Sequence, residues 1–129
     1  MVTEAELKHY NDSLGSFDIV LFLGVLYHLK HPLYALEKVA DACQGTLYFQ
    51  SAVRGNTGDF EPKDDYPIFE SAVFEEPAYP KLYFIEKSFN GDESNWWMAT
   101  RSCLKAMLRV AGFRTLKETE NPEVFVCEK

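Results

Sequence analysis

Apolar positions run without a break from Ile19 to Leu23, behind Asp18 and ahead of Gly24. The run is apolar on both faces and too short for a helix, which predicts a buried parallel strand that delivers the loop Val25-Leu26-Tyr27-His28. Upstream, Thr3 and Glu6 form a capping box, and Leu7, Tyr10 and Leu14 follow at helical spacing, so residues 1–16 hold a short first helix ending by Asn11. Downstream, Lys30-His31-Pro32 opens a second helix, because proline is well tolerated at the first helical position. Leu33, Leu36, Val39, Ala40 and Cys43 share one face of it, and Gln44-Gly45 closes it. Thr46 to Gln50 is rich in strand formers. Residues 17–51 therefore read as a βαβ unit, whose right-handed crossover sets the two strands parallel.

The pattern breaks over residues 52–97. Prolines and glycines interrupt it, while Ile68-Phe69, Val73-Phe74 and Leu82 to Ile85 suit short strands or plugs. A connection this long in a compact domain is a lid or is disordered, and its aromatic content favours an ordered lid. Residues 98–129 return to regular pattern. Thr100 is placed as an N-cap, Leu104, Met107, Leu108 and Ala111 form a buried stripe, and Gly112 ends the helix. Phe113 to Glu118 and Val124 to Glu128 make an antiparallel hairpin around Asn121-Pro122.

Composition narrows this to one globular α/β domain: the chain has 129 residues, 47% of them hydrophobic and 15% aromatic. The formal charge is -7, with a pI near 4.9, and between residues 52 and 94 ten acidic side chains meet only four basic ones. Such a balance weighs against a broad phosphate-binding surface. No apolar run approaches a membrane span and no signal peptide opens the chain, so the expected compartment is the cytoplasm. Cys43, Cys103 and Cys127 lack metal-ligand spacing and read as reduced structural thiols; no metal is expected.

Ligands of open α/β sheets sit beyond the carboxyl ends of the strands, where Tyr27 and His28 fall. His28 can serve as a general base or can simply bond a neighbouring carbonyl. Gly24 suits a tight turn or a close ligand approach. Asn95, Trp96 and Trp97 can line a pocket or pin the lid to the core, and exposed Arg54 and Arg101 can meet a carboxylate or phosphate.

The string FDIVLFLGVLYHLKHPLYALEKVADACQGTLYF, then NWW, then CLKAMLRVAGFR and a terminal hairpin, resembles the C-terminal half of a class I S-adenosylmethionine-dependent methyltransferase. Within that superfamily it resembles the branch acting on the wobble uridine of tRNA (5-methoxyuridine-type). The resemblance implies a partial Rossmann-like sheet, strands 4, 5, 7 and 6 of the order 3-2-1-4-5-7-6, with the last strand antiparallel between its neighbours. It also implies S-adenosylmethionine as cofactor, His28 and Tyr27 in the catalytic position, Gly24, Val25 and Leu26 beside the cofactor, and Asn95, Trp96 and Trp97 beside the acceptor.

The glycine-rich turn after strand 1 and the ribose-holding acid after strand 2 are not in this sequence, and Asp18, at the wrong end of its strand, replaces neither. The edge Ile19 to Leu23 is then bare, which calls for a covering helix, a second chain or a second copy; a homo-oligomer is favoured. Three functions are compatible with this reading: an acceptor-side methyltransferase portion, a non-catalytic module associating through its strand edge, or a small-ligand binding protein. Acidity favours a small-molecule acceptor over tRNA, and no membrane partner is implied.

Overall fold

Strands β1 (Phe17–Leu23) and β2 (Cys43–Gln50) lie side by side and parallel, joined by helix α1 (Pro32–Ala42). The structure, a computed structural model, describes residue 5 and residues 15–129. The short helix expected over residues 1–16 lies outside the described residues. Two short strands, β3 (Leu82–Phe84) and β4 (Trp97–Ala99), follow β2 in the chain; then come helix α2 (Arg101–Ala111) and the hairpin of β5 (Thr115–Glu118) and β6 (Val124–Glu128). The main sheet has the order β1-β2-β6-β5, with β6 antiparallel to both neighbours.

One row of aromatics sets the core. Phe22, Phe49 and Phe125 are cross-strand partners on β1, β2 and β6, with ring centroids 6.1 and 6.5 Å apart along the row. Leu36 and Val39 of α1, Leu104 and Leu108 of α2, and Phe113 belong to the same buried cluster. Leu33, expected on the buried stripe of α1, is exposed, and Ala35 takes its place. The cysteines are free and buried. Burial pushes the Cys103 thiol up to about 11 and the Cys127 thiol up to about 12, so neither supplies a thiolate near neutral pH.

Three local features differ from the sequence-based expectation. First, β1 is not buried on both faces. Phe22 points inward, but Ile19, Leu21 and Leu23 are 64%, 65% and 51% exposed, because no described element covers the second face of the sheet. Second, α1 ends at Ala42, and Gly45 lies inside β2. An added Cβ on Gly45 would run into the Asp18 carbonyl oxygen, and the register slips there, from Phe17 opposite Cys43 to Ile19 opposite Thr46. Glycine is what lets the two backbones approach at that bulge.

Third, the 52–97 segment contains a small sheet of its own. β3 pairs antiparallel with β4, and Val53 bridges to Ala99, while Arg54 N–H donates to the Ala99 carbonyl at 2.9 Å. Trp97, expected to end the lid, is thus the first residue of β4. Of the three apolar stretches in the lid, Leu82 to Phe84 forms a strand and Val73 is buried on a 3-10 turn outside the main core cluster, but Ile68 and Phe69 stand in solvent.

Helix α2 forms as its sequence predicts. Thr100 Oγ1 accepts from Cys103 N at 3.3 Å and from Lys81 N at 3.0 Å, so one side chain caps the helix and anchors the lid. Gly112 ends it with φ 120. A four-membered ion cluster fastens the lid to the far side of the helix. Asp59 bonds Arg101 and Lys105 at 3.1 and 2.9 Å, and Glu118 of β5 bonds the same two cations at 2.7 and 2.9 Å. Arg101 therefore meets carboxylates of its own chain. No helix among the described residues is long and apolar enough to cross a membrane.

Candidate functional site

At the carboxyl end of β1 the chain turns on Gly24, which has φ 67 and donates its N–H to the Gln50 carbonyl at 3.0 Å. A single 3-10 turn, Leu26–His28, follows, closed by His28 N–H on the Val25 carbonyl at 3.0 Å. Leu26 and Leu29 are both only 2% exposed, and their burial fixes the turn so that Tyr27 and His28 project from it. The two rings sit 4.5 Å apart, centroid to centroid.

The lid brings the opposite wall. Phe89 and Asp92 exchange both backbone hydrogen bonds at 3.1 Å, across Asn90 and Gly91, whose φ values are 52 and 73. Paired positive φ on an Asn-Gly dipeptide is the signature of a tight two-residue hairpin turn. Asn95 is 7% exposed and holds the turn from inside, its Nδ2 donating to the Phe89 carbonyl at 3.0 Å. Trp96 N–H donates to the Tyr27 carbonyl at 2.8 Å, which stitches this loop to the turn after β1.

Between these walls lies a pocket of about 350 Å³, lined by Tyr27, His28, Arg54, Asp92, Asn95 and Met98 among others. A hydrogen-bonded chain crosses one side of it. Ser94 donates Oγ–H to Asp92 Oδ1 at 2.6 Å, and His28 Nδ1 lies 2.9 Å from Ser94 Oγ and 3.1 Å from the Ser94 carbonyl oxygen. The Ser94 hydroxyl, then its backbone N–H, hold the Asp92 carboxyl below its usual range, with the nearby His28 adding to the effect. Arg54 lays its guanidinium over the Phe89 ring at 5.4 Å and spends one donor on the Val53 carbonyl at 2.8 Å.

The structure thus brings Tyr27, His28 and Asn95 to one pocket and leaves the tryptophans off its wall. Trp97 donates Nε1–H to the Lys30 carbonyl at 3.2 Å and packs on Phe84, and Lys30 Nζ rests 4.8 Å over Trp96. They pin the lid. Of the residues expected beside a cofactor, Leu26 is in the core, Val25 is packed against it, and Gly24 is closed over by Tyr27, whose Oη would lie 3.3 Å from an added Cβ. Sequence reasoning missed Asp92 and Ser94; the signal for them was the Asn90-Gly91 dipeptide, which marks a turn and so a fixed loop.

No protein-family model matches the chain, and no curated protein matches it. Solved structures do. The N-terminal domain of EvdMO1 with SAH bound superimposes with a TM-score of 0.55 at 22% identity, over 90% of this chain and 46% of that one. The same domain in the presence of SAH and D-fucose gives a TM-score of 0.54 at 22% identity, over 90% and 47%. The chain shares the fold of this domain and spans about half its length.

Proposed function

We propose that this chain is the acceptor-side portion of an S-adenosylmethionine-dependent methyltransferase, acting on a small molecule or nucleoside. The observation that carries the reading is the sheet: β1-β2-β6-β5, with the last strand antiparallel between its neighbours, corresponds to 4-5-7-6 of the methyltransferase order, in a fold shared with domains that bind SAH. SAH is what S-adenosylmethionine becomes once its methyl group has left. In this reading the outer edge of β1, unpaired among the described residues, takes the place beside strand 1, and the glycine-rich turn there comes from another chain or from a segment outside the given sequence. When only this chain is present, a second copy pairs with the same edge.

The chain's own residues then have distinct tasks. His28 receives the proton of the acceptor's nucleophile, Tyr27 and Asn95 shape the wall, and the lid excludes water. Arg54 offers its spare donors to an acidic or hydroxylated acceptor. The net charge of -7 supports a small acceptor over a tRNA.

The test is a calorimetric titration with S-adenosylmethionine and with SAH, the mass in solution being recorded alongside. Micromolar binding by the assembly formed through β1, and none by the monomer, is the expected result. No heat from any folded form overturns the reading. That outcome favours a non-catalytic module.

A further inference from the structure

The Asp92–Ser94–His28 chain carries a second conclusion, about which atom of His28 works. Two oxygens converge on Nδ1: Ser94 Oγ at 2.9 Å and the Ser94 carbonyl at 3.1 Å. A carbonyl oxygen has no proton to give, so the contact is a hydrogen bond only if Nδ1 carries the hydrogen. The hydroxyl points the same way, because its own proton is directed at Asp92 Oδ1, 2.6 Å away, and its lone pairs face the ring. Nε2 has no partner among the described residues.

We propose that Ser94, oriented by Asp92, is a positioning residue that holds neutral His28 with its proton on Nδ1, so that Nε2 presents its lone pair to the pocket as the proton-accepting atom. In the step this serves, the acceptor's O–H or N–H bond breaks, its electron pair stays on the nucleophile and the proton forms a new bond to Nε2. That role rests on the methyltransferase reading above; the tautomer itself does not. The arrangement also ties base orientation to lid placement, since His28 comes from the turn after β1 while Asp92 and Ser94 come from the lid. Phe89 and Asn95 preset the loop through their own hydrogen bonds, so little ordering is left for the moment an acceptor binds.

The groups facing His28 are Asp92 on the lid turn, Arg54 after β2 and Tyr27 on its own turn. The experiment is a long-range nitrogen–proton correlation spectrum of His28 at about pH 8, above the ordinary imidazole range. Wild-type protein is expected to show the proton on Nδ1. Ser94→Ala and Asp92→Ala each shift the ratio toward Nε2–H by about threefold to tenfold, the span set by the net strength of one hydrogen bond. Ser94→Thr and Asp92→Asn keep the hydroxyl and the Oδ1 acceptor, and restore the wild-type spectrum. A proton on Nε2 in the wild type, or an unchanged ratio in both alanine variants with the fold intact by circular dichroism, overturns the proposal. No cofactor or acceptor enters the measurement, so its failure leaves the methyltransferase reading standing, and failed cofactor binding leaves the tautomer result standing.

Discussion

Replacing Leu21 with lysine separates a strand that is open in the working protein from one that is covered. Leu21 is 65% exposed on the uncovered face of β1, flanked by Ile19 at 64% and Leu23 at 51%, with Tyr48, its β2 partner, at 40%. Full burial of a leucine or isoleucine is worth about 1.5–3 kcal/mol, so the area still open at each of the three is worth about 1–2 kcal/mol to whatever covers it. In the isolated chain Leu21→Lys removes little and costs no more than about 0.5 kcal/mol, the usual range for surface substitutions. In an assembly built on this face it forfeits the leucine's share and sets an ammonium group in the interface, which weakens association about tenfold or more. Phe22→Ala, one residue on, is the contrast, since its side chain lies in the core row and its loss costs the chain about 3–5 kcal/mol. Sedimentation over a concentration series, with thermal unfolding of the same samples, reads both quantities. The wild type is expected to self-associate, and Leu21→Lys to dissociate with an unchanged unfolding midpoint. A Leu21→Lys protein that associates like the wild type, or that loses as much stability as Phe22→Ala, refutes the reasoning.

Phe49→Ala removes the middle ring of the Phe22–Phe49–Phe125 row and is expected to lower unfolding free energy by about 3–5 kcal/mol in denaturant titration, the range for a fully buried aromatic. Gly45→Ala sets a methyl group against the Asp18 carbonyl; it should cost more than the 1 kcal/mol or so typical of a glycine change, and hydrogen exchange should report the loss at the β1–β2 ladder first. Acid should loosen the lid. Hydrogen bonding to Lys105, with Arg101 beside it, holds the Asp59 and Glu118 carboxyls below their usual range, so the stabilisation is complete above that range and is lost as pH falls through the depressed values. Both carboxylates are largely solvated, which limits each to about 1 kcal/mol, and limited proteolysis of the lid against pH should follow the loss, whereas Asp59→Asn should abolish much of the pH dependence.

What was legible in the sequence is what local periodicity and punctuation decide. The βαβ unit, the Thr100 cap, the Gly112 stop and the terminal hairpin each rest on residues within one turn or one strand of each other, and each forms. The open face of β1 was not legible. Ile19 to Leu23 is apolar at every position whether or not something covers the second face, so the pattern states the strand's preference and not its surroundings. Strand β3 showed as the apolar stretch Leu82 to Ile85, but β4, of three residues, is too short for a period to register, and it exists because it finds β3 and Val53 across the lid. Gly45 was read as a helix stop since glycine commonly ends helices; its actual reason, the closeness of the Asp18 backbone, is a tertiary contact. In the site, His28 was singled out by its place after a strand and Asn95 by the family resemblance, while the partners of His28 come from 66 residues further along the chain.

The lid of this fold is tied down by backbone hydrogen bonds to several separate segments of the chain. The lid is joined to the turn after β1 by the Trp96 bond to Tyr27, to itself by Ile85 N–H on the Trp96 carbonyl at 2.8 Å, to the segment after β2 by the Arg54 bond to Ala99, and to the start of α2 by Thr100 N–H on the Lys81 carbonyl at 2.9 Å. Each is a backbone donor satisfied by a backbone acceptor on a different segment, the kind of bond that is costly to leave unmade once water is excluded. The pocket walls are therefore fixed by the same bonds that order the lid, and none of those bonds depends on the edge of β1. Pairing at that edge and shaping of the pocket are separable tasks. A chain built this way can keep His28, Ser94 and Asp92 in place whatever lies against the edge of β1.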